Sequence, residues 1–222
     1  MPVRLMLYDL DGTLVDSKED LAHAVNRTLT DLGLPTRPHR ELFTFVGNGV
    51  RMLLKRAVDG HDSAGLDDAI EIFRAHYLAH LTDHSTLYPG VEHVIAACAD
   101  RHQAIVTNKP TIYTQGVVKN LGLAAAMDLV LSGDSTPHLK PHPAIVHAAL
   151  SHFGVAPEQA LMVGDGVPDI EAARAAGVPC VVLTCGLGNR EAIEAARPDY
   201  LVDHIQDVLP ILERLDAGEA RP

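Results

Sequence analysis

The length, composition and charge of the chain exclude several classes of protein. At 222 residues, with 47% hydrophobic and 21% charged residues, the sequence is typical of a globular protein and neither disordered nor fibrous. A net charge of -11, no tryptophan and only 4% aromatic residues argue against a nucleic-acid partner, which needs basic groups for its backbone and rings for stacking. A phosphate site in so acidic a chain must carry its own local positive charge.

The cysteines and the apolar runs indicate the cellular compartment of such a protein. Cys98, Cys180 and Cys185 are scattered, with no Cys-x-x-Cys spacing, which suits a reducing compartment. The N-terminus lacks the features of a signal peptide, and no apolar run approaches the ~18 residues of a membrane span. We therefore expect a cytoplasmic protein with no membrane partner, present as a monomer or a homodimer.

Short apolar runs alternate with helical patterns along most of the chain. The runs predict buried parallel strands at residues 3–8, 104–107, 129–132, 160–163, 179–184 and 200–202. Helical patterns lie between most of them, at residues 91–100, 111–121, 144–153, 169–176 and 205–215. This alternation predicts a doubly wound α/β sheet, whose ligands bind at the carboxyl ends of the strands.

The stretch between the first and second predicted strands breaks the alternation. From residue 17 to residue 85 only helical patterns occur, at 19–32, 40–45, 49–58 and 67–81. A helical block placed there is typical of an inserted cap domain. We expect a core domain formed by residues 1–16 and 86–222, and a helical cap domain formed by residues 17–85.

Two carboxylates follow the first predicted strand. In Asp9-Leu10-Asp11-Gly12-Thr13 the acids stand two residues apart, so both leave the strand on the same side. Such a pair can divide into a nucleophile and a proton-transferring acid/base. A lone Asp-x-Asp-Gly is also typical of a plain turn, and only its position at a strand end favours function.

Three more polar motifs follow other predicted strands. Thr107 and Asn108 precede a helix that can hold a phosphate oxygen, Lys140 lies in a proline-rich loop, and Asp165 and Asp169 stand four residues apart at a helix start. A helix cap, a surface lysine or a simple turn explains each motif taken alone. Their joint occurrence at strand ends favours a single site.

In that order, the motifs resemble the four signatures of the haloacid dehalogenase superfamily. The resemblance spans nearly the whole chain and implies a phosphatase in which Asp9 attacks phosphorus, Asp11 protonates the leaving oxygen and Lys140 assists. It implies a Mg²⁺ cofactor held among Asp9, Asp11, Asp165 and Asp169. A small phosphomonoester would be bound by Gly12, Thr13, Thr107, Asn108 and Lys140. Two positions depart from the family pattern, with Tyr8 in place of Phe and Gly166 in place of Ser.

Segments 46–50, 88–90, 106–110, 133–135 and 140–143 are similar to phosphoglycolate phosphatases in particular. This resemblance implies hydrolysis of 2-phosphoglycolate to glycolate and phosphate. A phosphosugar phosphatase or mutase on the same core is the alternative, and a non-catalytic phosphate-sensing domain is a more distant one. A carboxylate on the substrate would need a cation from the cap, and Arg51 is our candidate, although it is equally typical of a solvated helix residue.

Two other patterns carry less chemistry. His138, His142 and His147 lack a paired second ligand set, and most other histidines fall on predicted helices at solvent-compatible positions, so we expect no histidine metal site. Gly186-Leu187-Gly188-Asn189 is close to a dinucleotide fingerprint, but Glu191 stands where the third glycine is required. We interpret this segment as a loop at the rim of the active site.

Overall fold

A parallel sheet of six strands lies at the centre of the protein. The computed structural model describes residues 2–58 and 65–219, so residues 1, 59–64 and 220–222 of the predicted domains lie outside the described residues. Within those ranges the strands are β1 (Leu5–Tyr8), β2 (Val15–Asp16), β3 (Thr86–Leu87), β4 (His102–Val106), β5 (Leu129–Leu131), β6 (Ala160–Gly164), β7 (Cys180–Leu183) and β8 (Tyr200–Val202).

The sheet has the order β5-β4-β1-β6-β7-β8, and each neighbouring pair is parallel. This arrangement confirms the predicted doubly wound α/β fold. The first strand is shorter than predicted, because Val3 pairs with side chains instead of a neighbouring strand. Its amide donates to Asp216 and its carbonyl accepts from Arg101.

The central strands are apolar on both faces because each face packs against helices. Along β1, Leu5 and Leu7 belong to one buried cluster, whereas Met6 and Tyr8 belong to the other. Alternate side chains of a strand point to opposite faces, so a continuous apolar run is what a sheet covered on both sides requires. The sheet is thus rigid at the edge where the polar motifs emerge.

Helices cover the two faces of the sheet. In chain order they are α5 (Val91–Ala97), α6 (Thr111–Asn120), α7 (Ala144–Phe153), α8 (Val167–Ala175), α9 (Arg190–Ala196) and α10 (Val208–Asp216). The sequence did not predict α9, which follows the 186–189 loop and begins with the Asn189 side chain accepting from the Ala192 amide. None of the described helices is long and apolar enough to cross a membrane.

In the described parts of the chain between β2 and β3 there are four helices. They are α1 (Lys18–Asp31), α2 (His39–Phe43), α3 (Val50–Ala57) and α4 (Leu66–Ala79), close to the predicted segments. Their apolar side chains form a third cluster that includes Leu54, Phe73 and Tyr77, and Tyr113 of α6 joins it. The helical block therefore has a core of its own and packs on α6. That residues 17–85 are a separate cap domain stays a prediction.

The two connections to this helical block lie side by side. Strands β2 and β3 are antiparallel, with Val15 opposite Leu87 and Asp16 opposite Thr86. Just beyond them, the buried Asp20 carboxylate accepts hydrogen bonds from the amides of His84 and Ser85 and from the Ser85 hydroxyl. The outgoing and returning chains are thus held together by a short ladder and one carboxylate.

Candidate active site

The polar motifs predicted from the sequence come together at the carboxyl edge of the sheet. Asp9 and Asp11 follow β1, Thr107 and Asn108 follow β4, and Asp165 follows β6. β1 lies between β4 and β6, so these loops are neighbours. Lys140, from the loop between β5 and α7, reaches the same place and touches Asp9.

Lys140 is buried between two carboxylates. Its Nζ lies 3.0 Å from Asp9 Oδ1 and 2.6 Å from Asp169 Oδ1, and it also donates to the Val106 carbonyl at 2.8 Å. The second oxygen of Asp169 accepts from the amides of Asp165 and Gly166. Both oxygens of Asp169 are therefore bound, one to Lys140 and the other to the loop that carries Asp165.

Asp9 is a buried carboxylate with a raised pKa. Burial raises its pKa to about 6, against the lowering effect of Lys140. Its Oδ1 is buried and accepts no hydrogen bond from the described residues, although it lies in ionic contact with Lys140. The Lys140 ammonium offsets part of the cost of burying this anionic oxygen.

Asp165 is enclosed by glycines. A side chain at Gly12 would put its Cβ 2.0 Å from Asp165 Oδ2, and one at Gly186 would put its Cβ 2.3 Å from the Asp165 Cβ. Gly12 also has a φ of 89°, in the left-handed region that favours glycine. The enclosed carboxylate accepts from the Leu187 amide at 2.6 Å and from the Thr13 hydroxyl at 3.3 Å. Thr13 thus positions Asp165.

The acidic cluster fits a hard divalent cation. Asp9, Asp165 and Asp169 each offer a carboxylate oxygen, and the three oxygens lie within 4.8 Å of one another. Burial, followed by the charges of Asp9 and Asp169, raises the pKa of Asp165 well above its ordinary value. Mg²⁺ prefers oxygen ligands in proteins, and all three groups here offer oxygens. One of these oxygens, Asp9 Oδ1, accepts no hydrogen bond from the described residues.

Asp11 lies outside this cluster because a lysine holds it. Lys109 Nζ lies 2.9 Å from both oxygens of Asp11, and the Ser17 hydroxyl donates to Oδ1 at 2.5 Å. Lys109 also donates to the Tyr77 hydroxyl at 2.7 Å. The carboxylate of Asp11, also expected as a metal ligand, is therefore oriented by an ion pair and is not among the three acids whose oxygens lie within 4.8 Å of one another.

Burial lowers the pKa of Lys109, but the Asp11 carboxylate and Tyr77 outweigh it, so the net pKa is raised and the ammonium stays charged. Burial raises the pKa of Tyr77 to about 12, which keeps its hydroxyl protonated. Tyr77 belongs to α4, whereas Asp11 and Lys109 belong to the sheet loops. The helical block thus contributes directly to the surroundings of Asp11.

Thr107 and Asn108 lie at the site, but the Asn108 side chain is used structurally. Its amide donates to the carbonyls of Lys140 and Gly47, and its carbonyl accepts from the Lys140 amide at 2.8 Å. Asn108 therefore fixes the loop of Lys140 and contacts the helical block at Gly47. Thr107 lines a small cavity beside Asp9 and Asp11.

Two cavities meet at Asp9 and Asp11. One, of about 40 Å³, is lined by apolar side chains of the helical block that include Leu21, Leu53 and Tyr77. The other, of about 380 Å³, is more polar and is lined by Asp165, Arg56 and the 187–189 loop among others. The 186–189 segment thus lies at the rim of the site, as the sequence predicted.

The structure does not bring Arg51 to either cavity. Its side chain is 65% exposed and pairs with Asp67 at 2.7 Å. Arg56, five residues further along α3, lines the larger cavity and is held by the Phe45 carbonyl and the Asn48 side chain. Residue 51 points to solvent because it faces away from the apolar side of α3 marked by Leu53, Leu54 and Ala57.

Four side chains that line the site or bind its residues were not predicted from the sequence. Lys109 stood within a recognised motif without a role, whereas Ser17, Tyr77 and Arg56 lie outside every motif. Tyr77 and Arg56 reach the site only because α3 and α4 pack over the sheet edge. No local pattern encodes that packing, so only Lys109, a basic residue next to a strand-end motif, offered a signal.

Comparison with known proteins agrees with this geometry. A family model described as haloacid dehalogenase-like hydrolase matches residues 6–183. A phosphoglycolate phosphatase of Colwellia psychrerythraea is 40% identical over 95% of this chain and 97% of its own length, and one of Nitrosococcus oceani is 38% identical over 95% and 96%.

A solved structure gives the same result. The crystal structure of a predicted phosphoglycolate phosphatase from Haemophilus somnus superposes with a TM-score of 0.89 at 36% identity, covering 94% of this chain and 97% of that one. With the family model matching most of the chain, this protein belongs to the haloacid dehalogenase-like hydrolase family.

Proposed function

We propose that this protein is a magnesium-dependent phosphatase that hydrolyses 2-phosphoglycolate to glycolate and phosphate. The observation that carries the proposal is the position of Asp9, a buried carboxylate that lies against Lys140 and lines a cavity together with Asp165 and the lysine-held Asp11. The substrate is supported by the names of relatives that are similar along almost their entire length.

Asp9 is the nucleophile of this reaction. Its carboxylate attacks phosphorus, the ester bond breaks, and an aspartyl-phosphate forms that water then hydrolyses. Lys140, in contact with Asp9, offsets negative charge as the phosphoryl group arrives. Asp169 holds Lys140 in place and so acts on the substrate only through it.

Asp11 is the general acid and base. It protonates the ester oxygen as that oxygen leaves, and it later takes a proton from the attacking water. Ser17 and Lys109 fix its carboxylate in one orientation. Because Lys109 also binds Tyr77 of α4, the acid/base is held in the presence of the helical block.

Asp9 and Asp165 are the residues that would hold Mg²⁺, with Asp169 close by. The bound cation supplies positive charge that stabilises the phosphoryl oxygens during transfer. Thr13, Leu187 and the surrounding glycines hold Asp165 in the required place.

The carboxylate of 2-phosphoglycolate needs a cation that the phosphoryl site does not use. Arg56 is our candidate because its guanidinium lines the larger cavity together with Asp9 and Asp165. A guanidinium can bind a carboxylate through two parallel hydrogen bonds. Arg51, the earlier candidate, would have to leave Asp67 and turn toward the cavity.

The experiment compares Arg56→Ala with Arg51→Ala on two substrates. For Arg56→Ala we expect kcat/KM for 2-phosphoglycolate to fall by about 10-fold or more, since a hydrogen bond to a charged group contributes roughly 1.5–3 kcal/mol. Hydrolysis of p-nitrophenyl phosphate, which has no carboxylate, should change little, and Arg51→Ala should match the wild type on both substrates.

A selective loss in Arg51→Ala alone would reverse the assignment of the two arginines. Equal losses on both substrates in Arg56→Ala would assign Arg56 to cap folding. The wild type is also tested on a panel of phosphomonoesters that includes hexose phosphates. Faster turnover of a hexose phosphate than of 2-phosphoglycolate would replace the proposed substrate while leaving the phosphatase chemistry standing.

A further inference from the structure

A second group of potential metal ligands lies in the helical block, apart from the phosphatase site. Glu19 and His23 stand four residues apart on α1, so they share one face of that helix. His39 is the first residue of α2 and packs against them. All three side chains are half-buried, and each offers a ligand atom within 4.8 Å of the others.

The histidines of this group are arranged as ligands commonly are. His39 Nδ1 lies 2.7 Å from Glu19 Oε2, which fixes the orientation of the imidazole ring. The ring of His23 meets that of His39 edge-on, with centroids 4.8 Å apart. Among the described residues, His23 has ring contacts but no hydrogen bond, so its imidazole nitrogens are free to bind a ligand.

A neighbouring pair limits the ligand set. His84 lies on the other side of His23, with ring centroids 4.9 Å apart. Its partner Asp20 already accepts hydrogen bonds from two amides, a hydroxyl and the His84 ring. Asp20 is therefore committed to the linkers, and the set with free binding capacity is Glu19, His23 and His39.

We propose that Glu19, His23 and His39 form a binding site for a transition-metal ion of the Zn²⁺ class, distinct from the Mg²⁺ cluster. Two imidazoles and one carboxylate suit Zn²⁺, Co²⁺ or Ni²⁺, whereas Mg²⁺ and Ca²⁺ prefer oxygen ligands alone. Any proton held by a ligating atom goes to solvent on binding, and the cation then joins α2 to α1.

The test is a calorimetric titration of the full chain with Zn²⁺ in excess Mg²⁺, which keeps the carboxylate cluster occupied. We expect one Zn²⁺ to bind per chain and the melting temperature to rise with Zn²⁺ concentration. His23→Ala and His39→Ala should each weaken binding about 100-fold or more, since loss of an outer partner alone costs 10–100-fold. Co²⁺ should give visible d–d absorption that both variants lose.

His80→Ala is the matched control. His80 pairs with Asp83 at 2.7 Å in the same helical block, and the described residues offer no third ligand there, so its removal should leave Zn²⁺ binding and the Co²⁺ spectrum unchanged. Melting curves in chelator establish that the variants fold. Zn²⁺ affinity in folded His23→Ala and His39→Ala equal to that of the wild type overturns the proposal. This result would leave the proposed phosphatase function untouched, because the two sites share no residue.

Discussion

At the scale of single residues, the site is defined by which oxygens have partners. Asp169 and Asp11 use their oxygens to bind lysines, amides or hydroxyls, whereas Asp9 keeps a buried oxygen that accepts no hydrogen bond from the described part of the chain. Three acids of the same chemical type therefore differ in how fully their oxygens are hydrogen-bonded, and we propose the least bonded one, Asp9, as the reactive group.

We predict that Asp9→Asn folds normally and loses essentially all turnover. The amide keeps the size of the side chain but removes the attacking oxyanion. Released phosphate measures the activity, and the melting temperature checks the fold. Beryllium fluoride should bind as a phosphoryl mimic to Asp9 of the wild type and not to the variant. Turnover near the wild-type rate in Asp9→Asn would contradict the covalent mechanism.

A second prediction concerns Lys109. In Lys109→Met the Asp11 carboxylate loses its ion pair, so kcat should fall by up to ~10² to 10⁴-fold, the usual range for general acid/base catalysis. The loss should be smaller on p-nitrophenyl phosphate, whose leaving group needs little protonation. Steady-state kinetics on both substrates measures the difference.

Tyr77→Phe is the control for Lys109→Met. It keeps the ion pair and removes only the hydroxyl that accepts from Lys109, so it should fold even if loss of the buried cation destabilises Lys109→Met by about 3–5 kcal/mol. Tyr77→Phe should lose less kcat than Lys109→Met, and its loss should again be greater on 2-phosphoglycolate than on p-nitrophenyl phosphate. An identical loss on both substrates in both variants would argue that Lys109 does not position the acid.

The sequence could name the core residues, and the family resemblance their roles, but not the contacts that hold them in place. Asp9, Asp11, Lys140 and Asp165 follow predicted strands, and parallel strands end at one edge, so their proximity was predictable. That Asn108 binds the backbone of Lys140, or that Asp11 pairs with Lys109, depends on rotamers and on loop approach. Spacing along the chain does not encode either.

At the scale of elements, the strands and long helices were predictable because each has an apolar face. The short α9 was missed because only Ile193 of its seven residues is buried. The β2–β3 pair was missed because two-residue strands carry no periodicity. The pairing of His39 with Glu19 joins residues 20 apart across a loop, so no ligand spacing in the sequence indicated it.

The linkers between the two parts of the chain allow a prediction about stability. Burial raises the pKa of Asp20, but the hydrogen bonds from Ser85 and His84 together outweigh it, so the pKa is lowered from its ordinary value of 3.8. A carboxylate whose pKa is lower in the folded state stabilises the fold at pH values above its ordinary pKa. This contribution is lost as the pH falls through the folded pKa.

Asp20→Asn should therefore lower the free energy of unfolding by about 1.5–3 kcal/mol at neutral pH, the usual contribution of hydrogen bonds to a charged group. The difference in unfolding free energy between the variant and the wild type should shrink toward zero as the pH falls below 3.8, the ordinary pKa of the carboxylate. Denaturant unfolding in chelating buffer at several pH values measures it. Asp83→Asn, which removes an exposed carboxylate paired with His80, is the control and should change little. A pH-independent difference would refute the role of the Asp20 charge.

At the scale of the whole molecule, an acidic protein binds an anionic substrate through a local excess of positive charge. The net charge is -11, yet Lys140 and Lys109 lie buried beside the reacting groups. Bound Mg²⁺ would add to this positive charge. Substrate binding should accordingly depend strongly on the metal.

We predict that chelation abolishes activity, that Mg²⁺ restores it and that Ca²⁺ restores it poorly. Ca²⁺ takes a larger and looser oxygen shell, which spoils the alignment of Asp9 with phosphorus. Phosphate release after dialysis against EDTA and addition of each cation measures this. Asp165→Asn should require far more Mg²⁺ for the same rate. Full activity in metal-free buffer would exclude the acidic cluster as the site of an essential cation.

The two linkers of the helical block leave and rejoin the sheet side by side. Asp16 and Thr86 are opposite partners in β2 and β3, so the chain leaves the sheet and returns to it at neighbouring points. A two-residue turn in place of residues 17–85 would convert the ladder into an ordinary β-hairpin without altering the order of the parallel strands. Helices of other lengths inserted at the same two points would leave the order of the parallel strands unchanged, but they would have to replace the contacts that Gly47 and Tyr77 make with Asn108 and Lys109.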